Sequence, residues 1–228
     1  MAENALPGGA QPAASLDRAA EEAGFYHEAG LNAMWTGTRL ALGGLSFGFG
    51  AFVFAFFYLR SLNSYNLWYP GGHLATVPSK AEGTVVMVLI VLSAAVQTAA
   101  LQQIKGGKRG PWLAGASLAL LLGLAAIGLL IVQLATLPFL PGGSGFASVF
   151  TGTYPVFIVV TLAAMIWLEI LIMRCRAVPA MSFVEQPPTF AEAFAVQRFQ
   201  ASLSGFTVTW NYLAVVSFIL WVLFYLVH

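Results

Sequence analysis

From Gly110 to Leu168 the chain carries no charged residue, and this run limits the available folds more than any other feature. A water-soluble domain spreads about 25% charged residues over its surface, a requirement that lipid removes. The run is also too long for one membrane crossing, because roughly twenty residues at about 1.5 Å rise span the hydrocarbon core. It must fold back on itself. The turn falls between Leu137 and Gly145, where Pro-Phe-Leu-Pro-Gly-Gly-Ser follows Leu137, a cluster that breaks helices. The whole chain agrees, with 59% of its 228 residues hydrophobic and 8% charged.

The charge-free intervals place five membrane spans at about 40–59, 83–104, 112–136, 149–173 and 206–227. The fold class expected is therefore all-α, a polytopic membrane helix bundle of about five helices, with residues 31–228 as a single transmembrane domain. Residues 1–30 are expected as a mobile cytoplasmic tail. Residues 1–24 are rich in Ala, Gly, Pro and Glu and have no apolar core, so they read as solvated chain and not as a cleavable signal. Orientation follows from the basic residues, which collect on the cytoplasmic side of short loops. With the N-terminus inside, Arg18, Arg39, Lys105, Lys108, Arg109, Arg174, Arg176 and Arg198 are inside. Only Arg60 and Lys80 of the 10 basic residues are then outside, giving an N-in, C-out expectation.

Two segments between spans carry interface signals. Residues 189–204 begin at Thr189 after Pro187-Pro188 and set Phe190, Phe194 and Phe199 toward one side, as a surface helix at the membrane edge would. Residues 61–79 hold Tyr65, Trp68 and Tyr69, aromatics suited to the outer headgroup level. Small residues four apart allow helices to approach closely in lipid. Gly44 with Gly48, Ala51 with Ala55, and Gly115, Ala119 and Gly123 have that spacing.

The chemistry available at membrane depth is sparse. A haem inside a bundle generally uses axial histidines, but His27, His73 and His228 all fall outside the spans, and no His, Cys or carboxylate set has metal-ligand spacing. Neither a catalytic site nor a cofactor is expected in this chain. Cys175, between Arg174 and Arg176, is the only cysteine, which excludes an intrachain disulfide. Asp17 is the only Asp, and no Ser, His and Asp set for nucleophilic catalysis exists. The basic turn at Lys105-Gly-Gly-Lys-Arg lacks the pattern of a phosphate loop. A net charge of +1 gives no basic face for nucleic acid. Glu169 is the one ionisable residue inside the predicted spans, one turn from the cytoplasmic end and within reach of Arg174; it reads as a snorkelling or paired carboxylate, with a partner-contact or proton-relay role as the alternative. Gln97 and Gln133 are expected as interhelical hydrogen-bond donors.

Several stretches resemble a known family. Phe52-Val-Phe-Ala-Phe-Phe-Tyr-Leu-Arg60, Trp68-Tyr-Pro70, Gln133, Ser148-Val-Phe-Thr-Gly152 and Trp210-Asn-Tyr-Leu-Ala-Val-Val together resemble subunit III of the haem-copper (cytochrome c) oxidases in its short five-helix bacterial form, over about residues 31–227. The chain departs from that pattern at Leu45-Ser46-Phe47-Gly48, where the family has a carboxylate, and at Tyr154, where a His pair belongs. Asn211, Ala214 and Ser217 stand in place of His, Asp and Trp. The resemblance implies a non-catalytic accessory subunit of a respiratory oxidase in a bacterial inner membrane. Subunit I would be its partner, phospholipid would be bound, and haem and copper would reside in partner subunits. The candidate lipid or partner contacts are Arg60, Trp68, Gln133, Glu169, Trp210 and Asn211, and the candidate packing glycines are Gly44, Gly48, Gly115 and Gly123. The alternatives are a structural subunit of a different membrane complex with a subunit-III-like fold and a small transporter, although inverted repeats and mid-membrane polar groups are not evident. The basic asymmetry has a direct test: a reporter fused after His228 should be active only outside the cytoplasm, and cytoplasmic activity would show that the spans are miscounted.

Overall fold

Local signals cut the chain into helices near the sequence-derived boundaries. The computed structural model describes residues 11–63, 68–69, 77–178 and 190–227. Tyr65, His73, Thr189 and His228 lie outside the described residues, as do the side chains of His27 and Phe190. The helices are α1 (Gln11–Ser61), α2 (Lys80–Lys105), α3 (Arg109–Ala135), α4 (Gly145–Cys175) and α5 (Phe190–Trp221), with a final π-helical turn over Val222–Leu226. All five include stretches long and apolar enough to cross a membrane, so the chain is a multi-pass membrane protein. No strand occurs among the described residues.

Several helix ends have a chemical cause. Ser79 caps α2 by accepting from the Glu82 N–H at 3.5 Å, and Ser144 caps α4 by accepting from the Ala147 N–H at 3.0 Å, each satisfying one otherwise unpaired donor. Between α2 and α3 the backbone turns at Gly107, whose φ of 76° lies in the left-handed region that glycine adopts without strain. Gly142, at φ 83°, serves the α3–α4 turn directly after Pro141. Pro155 lies inside α4, where the backbone forfeits one intrahelical bond.

Two segments differ from the sequence reading. Residues assigned to a solvated tail are helical from Gln11 onward and continue without interruption into the first span. Their Ala-rich composition supports a helix, and Pro12 falls in the first turn, where it is tolerated. At 51 residues, α1 is about 77 Å long, more than twice the hydrocarbon thickness. Phe25 and Tyr26 on its first half are exposed. The segment 189–204 is likewise not a separate surface helix, because α5 is continuous through it. Between Phe190 and Trp221 there is no proline, and Gly205 is the only glycine. Val196, Phe199 and Leu203 are consequently buried, and Phe199 meets Trp112 of α3 edge to face at 5.9 Å.

Helix α2 packs on α3 and α5, and α5 also packs on α1 and α4. Small residues make the closest approaches. A Cβ on Gly115 would stand 2.8 Å from the Ala100 Cβ, one on Gly123 3.2 Å from the Trp210 ring, and one on Gly205 2.8 Å from the Thr38 hydroxyl. Ala116, Ala119 and Ala126 are fully buried along the same side of α3. The expected seam of Gly115, Ala119 and Gly123 is thus an internal contact. Gly44 and Gly48 are not, since nothing lies within 4 Å of a Cβ at either position. They occupy a side of α1 that no other helix covers among the described residues. Spacing alone could not separate the two seams.

The tightest fit is at Gly83, where a Cβ would run into the Tyr225 ring, which is buried. Gly83→Ala should therefore cost about 1–3 kcal/mol by overpacking, seen as a lower thermal midpoint in detergent. Gly48→Ala should leave the midpoint nearly unchanged, and equal effects would contradict this packing.

Candidate functional site

The residues that carry the sequence motifs gather in two places, an aromatic cluster at one end of the bundle and a polar seam through its middle. At the end of α1, the Arg60 guanidinium donates to the Val227 carbonyl and so ties the first helix to the end of the last. Trp68, in the connection between α1 and α2, is buried beside it. Its backbone N–H donates to Asn63 Oδ1 at 3.1 Å, and its carbonyl accepts from the Phe146 N–H at 3.0 Å. Edge-to-face pairs of Trp68 with Phe56 at 5.1 Å and with Phe146 at 6.0 Å continue into Phe150 and Phe224. Such pairs add about 0.5–1.5 kcal/mol each beyond burial. Gly145 is required here, because its Cβ would lie 2.9 Å from the Trp68 ring. Burial raises the pKa of the neighbouring Tyr69 above its ordinary value, while Arg60 and Trp68 oppose that shift.

The polar seam runs between α2, α3 and α5. Ser93 donates to the Ala119 carbonyl at 2.6 Å and accepts from Trp210 Nε1 at 3.1 Å, so one hydroxyl joins three helices. Toward the aromatic end, Trp221 Nε1 donates to Thr84 at 3.0 Å. There the Tyr225 hydroxyl also donates to Gln133 Oε1 at 3.1 Å, and Gln133 Nε2 donates to the Ser79 carbonyl at 3.5 Å. Toward the other end, Asn211 Nδ2 donates to Thr98 at 3.1 Å. A cavity of about 10 Å³ beside Tyr225, bordered by Gln133, Tyr154 and Ser217, is about the size that holds one water. Gln97 differs from its neighbours. It is 0% exposed, and neither amide atom has a partner, a state that costs about 1–3 kcal/mol. The expectation that it donates between helices is therefore corrected: it faces the small-residue contact and reaches no acceptor among the described residues.

This placement reorders the candidate contacts. Trp68, Gln133 and Trp210 are interior, so they shape the bundle and do not present themselves to lipid or a partner. Arg60 is half-buried and occupied by Val227. Asn211 is on the surface but holds Thr98. Glu169 is exposed on α4 and pairs with neither Arg174 nor any other group among the described residues. Cys175 is buried and free, and the cation beside its thiol is Arg109, not its chain neighbours. Among the described residues, no group of three His, Cys, Asp or Glu could hold a metal.

Sequence reasoning missed Ser93 and Tyr225. One hydroxyl in an apolar span carries no periodic signal, and Tyr225 matters because of the space left by Gly83, which is visible only when α2 and α5 are brought together. No protein-family model matches the chain, and no curated protein matches its sequence. The seam has a quantitative test in a Ser93→Ala and Trp210→Phe double-mutant cycle. Its coupling should be about 0.6 kcal/mol, with about 1.7 as the upper end known for such bonds in membranes, and zero coupling would mean that the bond contributes nothing.

Proposed function

We propose that the chain is a non-catalytic accessory subunit, of the subunit III type, in a respiratory haem-copper oxidase. In this reading it lies N-in, C-out in a bacterial cell membrane, docks on subunit I and retains phospholipid. Haem and copper belong to the partner subunits, and the chain's part in aerobic electron transport is to stabilise the subunit that reduces oxygen with electrons from cytochrome c.

The observation that carries this reading is the open face of α1. Only 11% of its most apolar stretch is buried, against 33–50% in the other four helices. On that stretch Phe47 is 83% exposed, and the backbone is bare at Gly44 and Gly48. In lipid the large side chains need no cover, but a bare backbone stripe suits the approach of another helix. The resemblance supplies the identity of that helix, and the motif residues support it by acting as scaffold: Arg60, Trp68, Gln133 and Trp210 all have partners within the chain. A subunit of a different membrane complex would use the same face, so the partner that co-purifies distinguishes the two.

Deleting the gene should leave the reduced-minus-oxidised haem spectrum of the partner complex unchanged, while activity should decay faster during turnover or in detergent. Gly48→Arg should reproduce the loss, because it blocks the face and places a charge in lipid at a cost of about 3 kcal/mol. If no haem-containing complex co-purifies with the tagged chain, the oxidase reading fails.

A further inference from the structure

A groove lies where α2 and α5 meet, at the end of the bundle that carries the α2–α3 turn. It is lined by Leu101, Ile104, Lys105, Gln200, Leu203 and Ser204, with a volume of about 160 Å³. Lys105, Gln200 and Ser204 reach no hydrogen-bond or ion-pair partner among the described residues, so one cation and two neutral polar groups border a single space with their hydrogen-bonding capacity unused. Leucines and an isoleucine form the rest of the wall. No carboxylate lines the groove. The negative end of α2 does not oppose an anion strongly here, because the last carbonyls are already taken: Gln102, Gln103 and Ile104 accept from the N–H groups of Gly106, Lys108 and Gly107. Lys108 and Arg198, both exposed, and Arg109 add positive charge around the same end.

We propose that this groove binds an anionic phospholipid, with the phosphodiester at Lys105 and Gln200, a glycerol ester carbonyl accepting from Ser204 one turn deeper, and the upper acyl chain along Leu101 and Leu203. Three features favour a lipid over a soluble ligand. The volume is below the roughly 300–1,000 Å³ of pockets that enclose a small molecule, which suits a headgroup whose tails remain outside. The α2 wall changes from Lys105 at the helix end to Ile104 and Leu101 farther in, as the membrane does at its interface. The excess of positive charge selects an anionic headgroup over a zwitterionic one, as basic pockets between membrane helices do. The proposal deepens the lipid-retaining part of the function above. Its test uses only the chain itself, so it can fail while the oxidase reading stands, and the reverse.

The full-length chain in detergent is titrated with phosphatidylglycerol or phosphatidylcholine, and retained lipid is read by native mass spectrometry. Phosphatidylglycerol should be retained in preference. Lys105→Gln should weaken its retention about fivefold, the loss of one cation near a membrane surface. Lys105→Arg should restore it, and Lys108→Gln, which removes a charge near the groove but outside its lining, should weaken it much less than Lys105→Gln does. Ser204→Phe, which fills the space, should abolish it; if that variant does not fold, the two Lys105 variants still decide. Equal retention of both lipids would overturn the proposal, and so would equal losses from Lys105→Gln and Lys108→Gln, which would show a general surface attraction. Displacement of the lipid by an equal concentration of glycerol 3-phosphate would also overturn it, by assigning a site for soluble phosphate.

Discussion

Close approach between α2 and α3 is the condition on which the rest of this bundle depends. Lipid tails are as apolar as leucine, so no hydrophobic force drives one helix onto another inside the membrane. What remains is dispersion at short range and the few hydrogen bonds that short range permits. Gly115 against Ala100 sets that range, and the bond from Ser93 to the Ala119 carbonyl forms because of it. With α2 and α3 held this close, Gly123 leaves room for the Trp210 ring, and the indole reaches Ser93 from α5. The position of α5 then fixes α1 through Gly205 and Thr38 and α4 through Trp167, whose Nε1 donates to Ser202 at 3.1 Å.

The same closeness has a cost at Gln97. A helix contact made of Gly and Ala offers a long side chain neither space to turn nor a polar wall, and the amide is enclosed without an acceptor. Its neighbours on α2 avoid this because short hydroxyls can bond back to the helix itself, as Thr98 does to the Ala94 carbonyl at 2.8 Å. Most threonines in this bundle thus bond back within their own helix, whereas Ser93, Trp210, Trp221 and Tyr225 bond across helices, and Gln133 reaches the loop end at Ser79.

Span number and position were legible in the sequence because both follow from charge, and charge along a chain is a local property. The turn at 137–145 was legible for the same reason, its prolines and glycines acting where they stand. What failed to show was whatever depends on which helix faces which. Gly44 with Gly48 and Gly115 with Ala119 have the same spacing, yet one pair faces open space and the other is packed. Trp68 looked like an interfacial aromatic because its sequence neighbours are loop residues; the structure buries it because Gly145, far along the chain, leaves a gap of its size. The extent of α1 and α5 was hidden differently: the first part of α1 lacks the long apolar run of a span, and the apolar face at 190–204 marked a helix without showing that it continues into the last span or packs on α3.

The bond between Arg60 and the Val227 carbonyl joins positions 167 residues apart. In a chain that enters the membrane as it is synthesised, N-terminal part first, four spans are in place before the acceptor exists. Until then Arg60 is an unpaired cation at the rim of the bilayer, and Phe56, Trp68, Phe146 and Phe150 surround a gap that Phe224 later fills. Closure of this end is therefore a late event that reports arrival of the last span, and chains stalled or cut before Val227 expose a cation and an open aromatic cup that finished ones conceal.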